Sequence, residues 1–161
     1  MLRDELLRLI RNNSRIDLKD LAVMLGSDEV TVANEIADLE KKGIICGYYT
    51  LINWDDTDTE MVDALIEVNV NTSRDTGFGA IAERIYQFDE VRSCYLISGS
   101  YDFLLILEGK TMKQVANFVY SKLSPIEYVT GTATHFIMKR YKDFGTVLGK
   151  VKKDVREKMS V

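Results

Sequence analysis

The spacing of apolar and polar positions predicts a helical N-terminal third. Apolar residues recur at helical spacing over Leu2–Arg11 and again in two short segments that Asp17 and Asp28 can cap. Gly26 and Gly43 follow these two segments and are typical of helix C-termini. Three helices with a glycine-containing turn between the last two predict a helix-turn-helix arrangement.

The rest of the chain alternates between strand-like and helix-like patterns. Ile44–Ile52 is rich in β-forming residues, and we expect it to form a wing and the start of a linker. Residues 53–61 are polar and acidic and are predicted to be the linker. The elements that follow have the order β-α-β-β-α-β: Asp63–Val70, Thr76–Gln87, Arg92–Ile97, Phe103–Leu107, a helix from Thr111 with Met112 and Leu123 on its apolar stripe, and Tyr128–Met138.

This order predicts an α+β fold in two domains. Residues 1–52 form a winged helix-turn-helix domain, and residues 62–142 form a ferredoxin-like domain with an antiparallel sheet and both helices on one face. Residues 143–161 form a tail that becomes basic, with a weak apolar stripe at helical spacing. The tail is read either as a solvated terminal helix or frayed end, or as a segment that contacts phosphate.

The second face of the predicted sheet has no helix to cover it. It is expected to carry Tyr, Thr, Leu and Phe side chains, including one of the two alternating rows of the last strand. Pairing with the same face of a second copy would bury these side chains. The pattern therefore predicts a dimer.

Composition excludes several classes of function. The chain has 161 residues, is 46% hydrophobic and carries a net charge of −4. Its apolar runs are too short for a membrane span and no leader precedes them, so we expect a cytoplasmic protein without a membrane partner. Cys46, Cys94 and His135 do not form a metal-ligand or disulfide pattern, and a reactive pair of Cys94 with His135 is disfavoured because Cys94 lies in an apolar strand. We therefore expect no enzyme activity.

One turn concentrates polar chemistry between two apolar strands. The segment 98–102, Ser-Gly-Ser-Tyr-Asp, separates Arg92–Ile97 from Phe103–Leu107 and predicts a hairpin. Backbone N–H groups in such a turn can hold a carboxylate. Simple turn formation, with Tyr101 in the core, is the alternative.

Together these features resemble the Lrp/AsnC (leucine-responsive/asparagine-regulator, feast/famine) family of prokaryotic transcription regulators. The resemblance covers about residues 1 to 142, and the residues that carry it are Asp17–Ala22, Leu25–Gly26, Thr31–Val32, Ile36, Leu39–Glu40, Gly43–Tyr48, Ser98–Asp102 and Phe136–Lys139. It implies a winged helix-turn-helix, a β linker and an ACT-like sensing domain called RAM. It further implies dimers assembled into octamers or other multiples, with an amino acid or related effector bound between dimers and no other cofactor.

The resemblance also assigns residues to two sites. For the effector it implies Gly99, Ser100, Tyr101, Asp102, Thr132 and Thr134, with Asp102 accepting an ammonium group. For double-stranded DNA the expected contacts are Asp28, Thr31, Asn34, Glu35, Asp38, Lys41, Lys42 and Arg15.

The charge of the N-terminal domain departs from the family pattern. Family members often place arginines on the outer face of the third helix, where this chain has Asn34, Glu35 and Asp38. Residues 1–50 carry seven basic and nine acidic side chains, a net charge of −2. Because phosphate neutralisation supplies much of the affinity for DNA, we expect weaker and more salt-sensitive binding. The alternative is a sensing module that co-assembles with a basic paralogue and has no operator of its own.

Overall fold

The computed structural model describes residues 2–58, 61–72 and 77–149, and the chain separates into two compact units, 1–51 and 52–161. The first unit contains three helices, α1 (Leu2–Asn12), α2 (Leu18–Leu25) and α3 (Glu29–Lys41). Their apolar stripes meet in a small core of fully or nearly buried side chains: Leu6, Leu21, Ala22, Val32 and Leu39. The helical prediction for this region is confirmed.

Aspartate side chains cap the N-termini of two of these helices, as the sequence predicts. Asp17 accepts a hydrogen bond from the N–H of Asp20, and Asp28 accepts one from the N–H of Thr31. Gly26 ends α2 in the left-handed conformation at φ +59°, which an L side chain rarely adopts.

The predicted wing is not formed. The predicted segment Ile44–Ile52 contains no strand, because no second segment of the described chain pairs with it. β propensity alone does not make a strand when the backbone has no partner.

The second unit is built on a four-stranded antiparallel sheet. Its strands are β1 (Val62–Val70), β2 (Ser93–Leu96), β3 (Phe103–Lys110) and β4 (Val129–Ile137), in the order β2-β3-β1-β4. Two helices, α4 (Phe78–Tyr86) and α5 (Met112–Phe118), connect them, and α5 continues as a π-helical turn over Val119–Leu123. This is the predicted β-α-β-β-α-β order.

Strand register decides which side chains meet the helices. Ala64, Ile66 and Val68 of β1 are fully buried and pair with residues of β3 and β4 that share their face. The buried core of this unit consists of Ala64, Ile66, Val68, Ile81, Ile85, Phe103, Leu105, Leu107, Val115, Phe118 and Leu123. Met112 is 58% exposed, so its predicted place on the apolar stripe is wrong.

The opposite face carries no helix among the described residues, but its composition differs from the prediction. Thr132, Thr134 and Phe136 pair with Val68, Ile66 and Ala64 and therefore point to the helix side. The open face instead carries Leu65, Glu67, Tyr95, Leu104, Ile106, Ala133 and His135. Which alternating row of β4 meets the helices depends on its register with β1, and a single strand pattern does not contain that information.

The first part of the predicted tail is not helical. Strands β5 (Lys142–Asp143) and β6 (Thr146–Val147) form a small hairpin, and Gly145 turns the chain between them at φ +81°. This positive φ interrupts any helix over residues 143–149. Residues 150–161, on which the rest of the prediction falls, lie outside the described residues.

None of the described helices has both the length and the apolar character that a membrane crossing needs.

Candidate functional site

The outward face of α3 is free of carboxylates along its central row. Val30, Asn34, Ala37 and Lys41 follow one another at i, i+4, i+7 and i+11 and are all exposed, Val30 by 69%. Thr31 lies beside this row and is exposed as well. Val30 and Ala37 are not among the predicted contacts, although both lie away from the inward stripe of Val32, Ile36 and Leu39 and could have been found from that offset.

Glu35 and Asp38 do not lie on this outward row. They occupy the flank of α3 that faces α1, where Arg3 donates to Glu35 over 2.5 Å and to Asp38 over 2.8 Å. Lys42 also donates to Asp38, over 2.6 Å, and this hydrogen bond followed by the two positive charges keeps the pKa of Asp38 below its ordinary value. Glu35 and Asp38 therefore lie on the flank beside the outward row and not in its centre, because the packing of α1 decides which side of α3 is covered; their contact with DNA stays a prediction.

Of the remaining predicted DNA contacts, Asp28 and Thr31 form the N-cap of α3, and Arg15 and Lys41 are exposed basic residues. The Asp28 carboxylate accepts from both the hydroxyl and the N–H of Thr31, and these bonds lower its pKa. Asp28 therefore acts as the N-cap of α3, and the hydroxyl group of Thr31 donates a hydrogen bond to its carboxylate. Arg15 and Lys41 have exposed side chains, so they present positive charge to solvent.

In the second unit, the hairpin tip at 98–102 is held to β1 by Asp102. The Asp102 carboxylate accepts from the N–H of Val70 over 2.8 Å, and its backbone N–H donates to the carbonyl of Val68 over 3.0 Å. Ser98, Gly99 and Ser100 are exposed, and Tyr101 is half-buried. Within the described residues, no N–H of positions 98–101 donates to a protein acceptor. Asp102 thus positions a turn whose backbone donors are available.

The sheet brings Thr132 to the same end as this hairpin. Phe103, next to Asp102, pairs with Val68, and Val68 pairs with Thr132 on its other side. Two strand spacings, about 10 Å, therefore separate the backbone beside the hairpin from Thr132. Thr134 lies one row further from the hairpin, opposite Ile66. Both threonines are half-buried on the helix side of the sheet.

A small cleft occurs at the other end of the sheet and contains none of the predicted effector residues. It lies around Trp54, Met61 and Ile137, with Arg140 and Asp63 joined by an ion pair at its base. Burial disfavours the charged guanidinium, but the hydrogen bond and charge of Asp63, with the charges of Glu108 and Asp143, together raise the pKa of Arg140. Asp63 also accepts from the N–H of Gly109, so this pair closes the start of β1 against the end of β3 and has a structural role.

The geometry does not support a catalytic or metal centre among the described residues. Burial raises the pKa of the Cys94 thiol, which lies on the helix side of the edge strand β2. His135 lies on the open face of the other edge strand, with its Nε2 3.2 Å from a carboxylate oxygen of Glu67. The two groups cannot act on one substrate atom, and no cluster of three metal-ligating side chains occurs in the described part of the chain.

Comparisons with known proteins agree with this division. The family profile described as the Lrp/AsnC ligand binding domain matches residues 63–147. The HTH-type transcriptional regulator YugG of Bacillus subtilis, itself described as uncharacterized, is 44% identical over 144 residues, which cover 89% of this chain and 87% of YugG. The HTH-type transcriptional regulator Ptr1 of Methanocaldococcus jannaschii is 27% identical over 139 residues, covering 86% of this chain and 91% of Ptr1.

Solved structures support the fold. The transcriptional regulator NMB0573 of Neisseria meningitidis, solved as a complex with L-Met, superposes with a TM-score of 0.69 at 22% identity, over 88% of this chain and 91% of that one. These relatives are transcription regulators rather than enzymes. The helix-turn-helix region, the four-stranded sensing-domain fold and the sequence matches show that the chain belongs to the Lrp/AsnC family of HTH-type transcription regulators.

Proposed function

We propose that the protein binds specific sites in double-stranded DNA through the outward face of α3. The observation that carries this proposal is the exposed row of Val30, Asn34, Ala37 and Lys41. An asparagine can pair with the N6 and N7 atoms of adenine, and apolar side chains can contact thymine methyl groups in the major groove. Lys41, at the end of the row, is placed to contact phosphate.

A gel-shift titration on a promoter fragment upstream of the gene tests this proposal. We expect Asn34→Ala to weaken binding by about 5- to 150-fold, the range for loss of one bidentate base contact. Asn12→Ala at the end of α1 is the matched control, since Asn12 is also an exposed helical asparagine, and it should leave affinity unchanged. Equal affinity of the wild type and the Asn34→Ala variant would contradict the assigned face.

We further propose that an amino acid or related small molecule binds at the hairpin tip 98–102. The N–H groups of this turn, which have no acceptor among the described residues, supply donors for a carboxylate, and the Asp102 oxygen that does not accept from Val70 is the expected acceptor for an ammonium group. Thr132 lies at the same end of the sheet and is the nearer of the two predicted threonines. The L-Met complex of NMB0573 supports an amino acid as the chemical class of ligand.

Isothermal titration calorimetry with individual amino acids, L-Met among them, tests the effector proposal. We expect one amino acid to bind, while its amide and its analogue without the amino group both fail. Equal binding of all three compounds would contradict recognition through both charged groups.

We also propose that the open face of the sheet pairs with a second copy, giving dimers that assemble into octamers or other multiples. Leu65, Leu104 and Ile106 remain only half-buried there, and Tyr95 is 49% exposed. A second copy would remove this apolar surface from water. Sedimentation as a monomer at micromolar concentration would contradict the proposal.

Co-assembly with a basic paralogue remains the second candidate, motivated by the net negative charge of the first 50 residues. The pairing of Glu35 and Asp38 with Arg3 weakens that motivation, because the two carboxylates are not presented alone on the outward row. A folded, oligomeric protein that shifts no DNA at low salt would favour this candidate.

A further inference from the structure

Arg3 connects two helices of the first unit through two carboxylates at once. From the first turn of α1 its guanidinium donates Nε–H to Glu35 and Nη2–H to Asp38, which lie one turn apart on α3. Lys42 gives Asp38 a second positive partner. The four groups together are neutral, so this flank of α3 carries no net charge although two of its side chains are acidic.

Glu35 and Asp38 lie beside the face of α3 that is proposed to contact DNA, so their negative charge affects how closely that face can approach phosphates. Glu35 directly follows Asn34 in sequence, and Asp38 directly follows Ala37, so both are adjacent to the outward row of α3. A helix docked in the major groove has phosphates on both sides of it. The Debye length at physiological salt is about 8 Å, so unpaired carboxylates on this flank would still repel nearby phosphates.

We propose that Arg3 is a positioning residue for DNA binding: it holds Glu35 and Asp38 against α1 and, together with Lys42, cancels their charge, so that α3 can approach the phosphate backbone. This inference rests on the proposed DNA binding through α3. Arg3 lies on a different helix from the outward row and does not itself need to touch DNA. An arginine is suited to the role because its planar fork can bind two carboxylates, whereas a lysine offers a single point charge.

The charge states agree with this arrangement. The hydrogen bond and charge of Glu35, followed by those of Asp38, raise the pKa of Arg3 above its ordinary value. The pKa of Asp38 is lowered, first through Lys42. Arg3 and Asp38 are therefore both ionised at neutral pH, as the pairing requires.

Gel-shift titrations of the full chain on the promoter fragment test the proposal at about 50 mM and 200 mM salt. Arg3→Met keeps an apolar stem about as long as the methylene chain of arginine and removes the charged guanidinium. We expect it to weaken binding by about three- to tenfold at the lower salt concentration, and by less at the higher one, because salt screens the repulsion. Arg8→Met removes one exposed charge from the same helix without unpairing Glu35 and Asp38, and we expect a smaller loss.

Neutralising the carboxylates distinguishes an electrostatic effect of Arg3→Met on DNA binding from a loss of helix packing. Combining Arg3→Met with Glu35→Gln and Asp38→Asn should restore wild-type affinity, which loss of helix packing alone would not do. Circular dichroism is used to confirm that each variant is folded. Should Arg3→Met fail to fold, the double variant Glu35→Gln/Asp38→Asn in the wild-type background decides the question: affinity that is unchanged or higher supports the proposal, and a loss means that these carboxylates contact DNA directly.

The outcomes distinguish this inference from the proposed function. Wild-type protein that binds DNA, with Arg3→Met binding equally well at low salt, would overturn the role of Arg3 and leave DNA binding intact. A loss in Arg3→Met that persists at high salt or is not rescued by neutralisation would also overturn it. Wild-type protein that shifts no DNA at low salt would overturn both.

Discussion

Asp102 offers a substitution that separates a structural role from ligand recognition. Its carboxylate accepts a hydrogen bond from the Val70 N–H over 2.8 Å and so holds the hairpin tip against the end of β1. Asp102→Ala removes this bond and leaves a half-buried backbone donor without its partner. Asp102→Asn keeps a carbonyl oxygen of the same shape at the same place but removes the negative charge.

The expected magnitudes follow from this geometry. A hydrogen bond to a charged acceptor contributes about 1.5–3 kcal/mol and a neutral one about 0.5–1.5 kcal/mol. Since the site is partly solvated, we expect Asp102→Ala to destabilise the second unit by about 1–2 kcal/mol and Asp102→Asn by less than about 1 kcal/mol. For a domain of this size, 1 kcal/mol corresponds to a fall of about 4–8 °C in Tm.

The assay measures both quantities on the same samples. Thermal unfolding by circular dichroism gives the stability of each variant, and calorimetry with the bound amino acid gives its affinity. We expect Asp102→Asn to stay folded close to the wild-type Tm yet to lose affinity for the amino acid, because a neutral amide oxygen attracts an ammonium group less strongly than a carboxylate does. Ser100→Ala, at an exposed position in the same turn, is the stability control.

Two results would refute this reasoning. If Asp102→Ala unfolds at the wild-type temperature, the Asp102–Val70 bond does not hold the hairpin. If Asp102→Asn binds the amino acid with full affinity, the carboxylate does not accept the ammonium group.

Two further predictions concern the stability of each unit. Phe103 is 1% exposed and packs edge-on against Phe78, with ring centroids 6.0 Å apart. In urea unfolding, Phe103→Ala should lower the free energy of unfolding by about 3–5 kcal/mol, whereas Tyr120→Ala, at an 82% exposed position, should change it by less than about 0.5 kcal/mol. Equal losses would contradict the core assignment. The hydrogen bonds from Thr31 lower the pKa of Asp28, so its contribution to stability is complete above the unfolded-state pKa near 3.8 and is lost as pH falls through the lower folded-state value. Acid unfolding followed by circular dichroism should therefore be less pH-dependent in Asp28→Asn, and an unchanged acid limb would contradict the cap.

Local chemistry explains why much of the fold was predictable. Asp17, Asp28 and Thr111 are caps because a short polar side chain next to an apolar stripe can satisfy free N–H groups at a helix start. The Ser-Gly-Ser turn at 98–100 marks the β2–β3 hairpin for the same kind of local reason. These features need no information from distant parts of the chain.

Two of the predictions that failed depended on partners distant in sequence. The segment after α3 has β propensity but no described strand to pair with. In the tail, where a terminal helix was one of the alternatives, Gly145 instead makes a local turn between β5 and β6. The threonine row of β4 meets the helices because Thr132 pairs with Val68, a register that the alternating pattern alone leaves undecided.

The sequence by itself determined the order of the helices and of the four main strands, because periodicity, capping and turn chemistry are local. Its motifs also carried the resemblance to the family and, through it, the two segments where function is expected. Only the tertiary structure decided that Glu35 and Asp38 pair with Arg3, since the two sides of that pairing lie more than 30 positions apart. It likewise showed that Asp102 holds the hairpin to β1 while leaving the donors of the turn available. In both cases the role of a carboxylate depends on the group that it binds, and the packing of segments distant in sequence determines which group that is.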